Sequence, residues 1–144
     1  MKKYPGVGVG VMLQRDGKIL LGKRHDDPEK ADSLLHGEGT WTFPGGKLDF
    51  QESLFDAAKR ETKEETSIVP KGMEIFSIGN ERVHDAHFIT IGFLCKEFEG
   101  EAKVMEPDEI TKWEWFGFDE LPEKIFPPVT KMIKNYLDKE VYKH

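Results

Sequence analysis

The sequence predicts a mixed α/β sandwich in which strands and helices share one core. Three observations predict it. Several short runs alternate apolar residues with small or polar ones, two longer stretches place apolar residues at helical spacing, and the two kinds are interleaved along the chain. A chain of 144 residues fits a single domain over residues 1–144, since domains average roughly 100–200 residues. Apolar residues make up 38% and charged residues 33%, which is a globular balance.

From the N-terminus, Val7 to Leu13 alternates as a strand. Asp16-Gly17 supplies the positive φ of a tight hairpin, and Ile19-Leu20-Leu21 returns as a second strand ending at Gly22-Lys23-Arg24. Residues 25–40 are polar, and Asp27-Pro28 resembles an N-cap with proline behind it, predicting a short helix over about 28–35. Trp41-Thr42-Phe43 is a short strand, with Pro44-Gly45-Gly46 read as the turn that closes it. A helix is expected over about 53–66. Strands are expected over about 74–82 and 87–98, and a further one over Lys112 to Phe116, after a loop at Glu106 to Glu109. Val129, Met132, Ile133, Tyr136, Leu137 and Val141 fall at helical spacing and predict an amphipathic C-terminal helix. Gly6, Gly8 and Gly10 are no dinucleotide fingerprint, because a strand pattern runs through them and no helix follows.

Composition excludes several functions. No apolar run approaches the roughly 18–20 residues of a membrane span. Lys2-Lys3 precede an apolar stretch interrupted by Gly8 and Gly10 and followed by no cleavage site, so export is not expected. Cys95 is the only cysteine, which leaves no internal disulfide and favours a cytoplasmic setting. The net charge of −6 argues against a nucleic-acid polymer as partner. An anionic small ligand would need a local cation, for which a metal ion is the simplest source.

The helix at 53–66 is the most informative element. Leu54, Ala58, Glu61 and Glu65 share roughly 60° of a helical wheel, the stripe a helix normally turns inward, with Glu64 on its shoulder. A carboxylate facing protein is costly unless paired or metal-bound. Glu61 and Glu65, one turn apart, offer two hard oxygen donors suited to Mg²⁺, with Mn²⁺ as a substitute. The competing reading is a solvated acidic face, with Lys59, Arg60 and Lys63 as surface partners. The residues in front of the helix weigh against it. Read from Gly46, the chain runs through five residues to Glu52, then seven to Arg60-Glu61, two to Glu64-Glu65, and one to Ser67-Ile68.

This register resembles the Nudix box, Gly-x5-Glu-x7-Arg-Glu-U-x-Glu-Glu-x-Gly-U with U apolar. Thr62 stands at an apolar position, and Ser67 replaces the glycine that follows the helix. The flanks, Val7 to Arg24, Gly39 to Gly46 and Glu106 to Trp115, look like the MutT-like branch of Nudix hydrolases, the small cytosolic nucleotide diphosphatases above all. Residues 25–36 look like an insertion.

The resemblance implies an α/β/α sandwich around a mixed β-sheet, and Mg²⁺-dependent hydrolysis of a nucleoside diphosphate linked to a group X. By position, Glu61 and Glu65 would be metal ligands. Glu64 would be a ligand or the residue deprotonating water, and the Gly45 carbonyl would complete the site. Glu52 and Arg60 would form a supporting ion pair. Nucleoside triphosphate hydrolysis to monophosphate and pyrophosphate is the leading expectation. A nucleotide sugar as substrate and a non-catalytic sensing module are the alternatives. The stretch Arg82-Val83-His84 holds neither the proline expected for ADP-ribose enzymes nor the tyrosine expected for dinucleoside polyphosphate enzymes.

Other residues carry weaker signals. Lys23, Arg24 and Gly46 are placed near the substrate, with the two cations either holding phosphate or lying in a solvated turn. Glu106 or Glu109 offers a further ligand. Trp113 and Trp115, two apart, face one side of their strand, either as core or as a wall for a nucleobase completed by Phe116 or Gly117. His84, Asp85 and His87 read as a turn rather than a metal site; His25 and His36 carry no clear signal, and Cys95 reads as core. An exposed strand such as 6–13 leaves room for a homodimer.

Overall fold

The computed structural model describes residues 3–30 and 37–143. Seven strands among them form one sheet: β1 (Gly6–Arg15), β2 (Lys18–Arg24), β3 (Trp41–Thr42), β4 (Gly45–Lys47), β5 (Val69–Val83), β6 (Ala86–Glu99) and β7 (Ile110–Gly117). The main path runs β3-β2-β1-β6-β5, with β4 pairing on β1 and β7 on β2. The sheet is mixed because β1 and β6 are parallel, from Gly6↔Phe88 to Leu13↔Cys95, while the other pairs are antiparallel.

Alternation along the strands divides the core in two. Val9, Val11 and Leu13 of β1 and Leu20 of β2 meet Ala57 and Ala58 of α1 (Leu54–Thr66) on one face. Met12, Ile19 and Leu21 meet Val129, Met132 and Ile133 of α2 (Pro127–Asp138) on the other. Burying each large side chain is worth about 1.5–3 kcal/mol, so a sheet apolar on both faces requires a cover on each. The fold is the α/β/α sandwich.

The hairpin between β1 and β2 turns at Asp16 and Gly17, both with positive φ (54° and 77°). Helix α1 begins at Ser53, whose side chain accepts from Asp56 N–H, and ends at Ser67 in the left-handed region, φ 72°. Thr62 is fully buried; its hydroxyl donates to the Ala58 carbonyl at 2.8 Å, leaving the methyl to pack.

Three expectations are corrected. Gly45 and Gly46 do not turn the chain. They form β4, with Val9↔Gly46 and Gly10↔Gly45, and neither has a left-handed φ. Strand β5 begins at Val69 rather than near 74, its early part disguised by register shifts at 70–73 and 75–77. Val141 lies beyond α2, which stops at Asp138; its carbonyl accepts from Ile78 N–H at 2.8 Å and from Asn135 Nδ2 at 3.1 Å. The short helix expected over 28–35 lies mostly outside the described residues, and residues 28–30 are turn.

Candidate active site

Helix α1 delivers its acids to the sheet because its buried side, Ala57, Ala58, Thr62 and Thr66, is small enough to seat the helix close. Close approach also explains the glycine pair of β4. A Cβ on Gly45 would stand 2.1 Å from the Val9 carbonyl oxygen, and one on Gly46 would stand 2.5 Å from Glu61 Oε2. Gly46 therefore makes room for the Glu61 carboxylate. Gly45 N–H donates to Glu65 Oε2 at 2.8 Å.

Arg60 ties the loop ahead of α1 to the helix. Its Nε and one Nη donate to both oxygens of Glu52, at 2.8 and 2.9 Å. The other Nη donates to Glu61 Oε1 at 2.8 Å and reaches Glu64 Oε2 at 3.4 Å. The planar fork suits this bidentate geometry. Hydrogen bonding from Arg60 holds Glu52 below the usual carboxylate range, and the same pair raises Arg60 further.

Glu65 joins residues that lie far away in sequence. One carboxylate oxygen from each of Glu65, Glu106 and Glu109 lies within 4.8 Å of the others. Desolvation pushes Glu65 well above the usual range, Gly45 N–H opposes this, and the charges of Glu61, Glu106 and Glu109 add to the rise. Burial likewise raises Glu61, and burial with the Glu109 charge raises Glu106. Carboxylates crowded in this way, with Glu65 and Glu61 drawn partly out of water, form a set of hard oxygen donors that fits Mg²⁺ or Mn²⁺.

Glu65 and Glu109 line a cleft with Gly45, Arg24, Thr42, Phe43, Thr90 and Met132 among its other walls. Of the two basic residues at the end of β2, Arg24 reaches this cleft, donating to the Gly37 carbonyl at 2.9 Å with its guanidinium over Phe126 at 4.9 Å. Lys23 does not line it; its ammonium lies 3.5 Å from Asp26. The pairing of β2 with β7 shifts register between Lys23 and Arg24, and this irregularity breaks the simple alternation of the strand at its end.

Trp113 and Trp115 do not line the cleft either. They pack on the α1-side core, opposite Gly22 and Leu20. Trp115 stacks with Phe98 at 6.0 Å and lies beneath the Arg15 guanidinium at 4.6 Å. Phe116, on the opposite face, meets Trp41 edge-on at 5.1 Å. The aromatic residue in the cleft wall is Phe43. Period 2 gives the shared face of the two tryptophans but not which face that is.

His84 and Asp85 form the β5–β6 hairpin turn, His84 at φ 51°, and His87 Nε2 bonds Asn80 Oδ1 at 2.7 Å. His25 Nδ1 accepts from Asp27 N–H, and His36 lies outside the described residues. Cys95 is buried in the α1-side core. Sequence reading missed Phe43, Thr90 and Met132 as cleft residues; for Thr90, the signal was a polar residue within the otherwise apolar run Phe88 to Leu94.

The family model described as NUDIX domain matches residues 3–136. The chain belongs to the Nudix family. It is 33% identical to the ADP-ribose pyrophosphatase of Methanocaldococcus jannaschii over 95% of this chain and 79% of that protein. It is 28% identical to the 8-oxo-dGTP diphosphatase of Escherichia coli, over 92% and 95% respectively. The crystal structure of a MutT NUDIX hydrolase from Burkholderia pseudomallei superposes with a TM-score of 0.83 and 31% identity, covering 92% of this chain and 98% of that one. The protein is a Nudix pyrophosphohydrolase, an enzyme of the MutT-like kind.

Proposed function

We propose that the enzyme hydrolyses a nucleoside triphosphate, or a related nucleoside diphosphate-X, to nucleoside monophosphate and pyrophosphate or its X-linked counterpart. The observation carrying this reading is the convergence of Glu65, Glu106 and Glu109, with Glu65 and Glu109 lining the cleft. These three, with Glu61, Glu64 and the Gly45 carbonyl, would hold Mg²⁺. When bound, the ion would offset phosphate charge and make water a better nucleophile near neutral pH. Glu64, the most exposed of the box acids on α1 at 53% of its side chain, is free to swing from Arg60 and take the proton of the attacking water. Arg60 and Glu52 fix the helix against its loop, so the carboxylates keep their spacing without the substrate. Arg24 brings positive charge to the phosphate end of the cleft, and Phe43 gives a flat apolar wall for a base.

The test is a nucleotide panel with and without Mg²⁺, reading product identity. It includes ADP-ribose and a 5′-triphosphorylated RNA oligonucleotide. We expect metal-dependent release of a nucleoside monophosphate from a small nucleotide. Glu65→Gln should lower turnover on the order of a hundredfold or more while the protein stays folded. Turnover indifferent to chelation, or unchanged in Glu65→Gln, contradicts the reading. No nucleotide turnover at all, with specific nucleotide binding retained, makes the fold a sensing module.

A further inference from the structure

The α2 side of the sheet carries a group that metal chemistry does not use. Cross-strand register sets Gly10, Gly92 and Ser77 in one row, Gly8, Thr90 and Gly79 in the next, and Gly6, Phe88 and Glu81 in a third. Met132 covers the first row; its Sδ lies 3.2 Å from where a Cβ on Gly10 would sit. The middle row bears one side chain, that of Thr90, which lines the same cleft as Glu65. Three strands spaced by about 4.8 Å make a strip roughly 10 Å across, floored mainly by backbone. A planar ring fits such a floor.

Glu81 stands at the edge of this strip and is 4% exposed. Lys131 of α2 holds its Oε2 at 3.0 Å. Its Oε1 is buried without a hydrogen-bond partner among the described residues, and it lies 3.7 Å from the position of a Cβ on Gly79, over the middle row. A buried acceptor lacking a donor is costly, and a ligand that brings the donor recovers that cost on binding.

We propose that Glu81 reads the nucleobase, Oε1 accepting a hydrogen bond from an exocyclic amine of a base lying on the Gly8–Thr90–Gly79 strip. The assignment rests on the nucleotide reading above and gives it a substrate class, amino-bearing bases. Lys131 holds the carboxylate in place. A keto edge would set acceptor against acceptor, so the device selects by repulsion as well as by attraction.

Calorimetric binding of nucleoside monophosphates tests this without turnover, using GMP against IMP, AMP against IMP, and CMP against UMP. Wild type should bind the amine-bearing member of at least one pair about ten- to a hundredfold more tightly, the range of a hydrogen bond to a charged group. In Glu81→Gln, Lys131 keeps the amide oxygen and turns the –NH₂ towards the strip, so the preference should vanish or invert. Glu81→Met, similar in length and without an acceptor, should bind both members alike. Thermal melts establish that each variant is folded. Equal affinity within every pair in wild type overturns the assignment, as does a preference surviving in either folded Glu81 variant. A wild type that neither binds nor hydrolyses nucleotides removes the nucleotide reading itself; turnover without amine discrimination removes only the role of Glu81.

Discussion

Glu65 combines demands that conflict. It is tied to Gly45 N–H, drawn out of water, and faced by the carboxylates of Glu61, Glu106 and Glu109. Its folded-state pKa is raised, so the native state binds more protons than the unfolded chain above the ordinary carboxylate value of 4.5. The associated stability is present in full below that value and is lost as pH rises through the folded pKa. Glu61 and Glu106 act in the same direction, and Glu52, whose pKa is lowered, acts oppositely. In chelator, therefore, the melting temperature of Glu65→Gln should rise relative to wild type as pH is taken from 5 to 8. Thermal melts across that range check it, and parallel curves would show that Glu65 is not strained by its neighbours. The acids of α1 were legible in the sequence because spacing alone places Glu61 and Glu65 one turn apart. Glu81 was not, because its burial depends on Lys131 and on a strand register that no local pattern contains.

At the level of elements, the two ends of α1 show what spacing tells and what it leaves out. Ser67 stands where the box pattern has glycine, and it adopts φ 72° with its N–H donating to the Lys63 carbonyl. A side chain in the left-handed region costs roughly 1 kcal/mol or more, part of which glycine returns through its larger unfolded-state entropy. Ser67→Gly should stabilise the protein by about 0.5–1 kcal/mol, raising the melting temperature by a few degrees. A melting temperature equal to or below that of wild type would show that the Ser67 side chain offsets its backbone. The glycine pair ahead of the helix reads as a turn from sequence for a related reason. Gly45 and Gly46 are needed not for a left-handed φ but because Val9 and Glu61 occupy the space of their side chains, a tertiary fact that composition cannot carry. The two tryptophans stayed open between core and nucleobase wall for a similar reason, since alternation assigns residues to a common face and only packing decides which helix covers it.

In the whole molecule, the acidic cluster joins the end of α1 to the loop before β7, residues more than forty positions apart in the chain. A cation held there would cross-link the two segments, and its binding energy would appear as folding stability. At a concentration one hundred times its dissociation constant, a ligand specific to the native state adds about 2.7 kcal/mol. Mg²⁺ and Mn²⁺ should accordingly raise the melting temperature by several degrees, and more at pH 8 than at pH 6, because ligation competes with the protons that Glu65 and Glu106 hold. The loop should respond locally as well. Glu109 and Ile110 N–H donate to the Glu106 carbonyl at 2.9 Å, the turn that presents both loop carboxylates. Hydrogen exchange at these two amides should slow on adding Mg²⁺ to wild type and change little in Glu65→Gln, which lacks one wall of the site. Equal slowing in both proteins would mean that the loop acids bind the ion without α1, and helix and loop would then be separate sites rather than one.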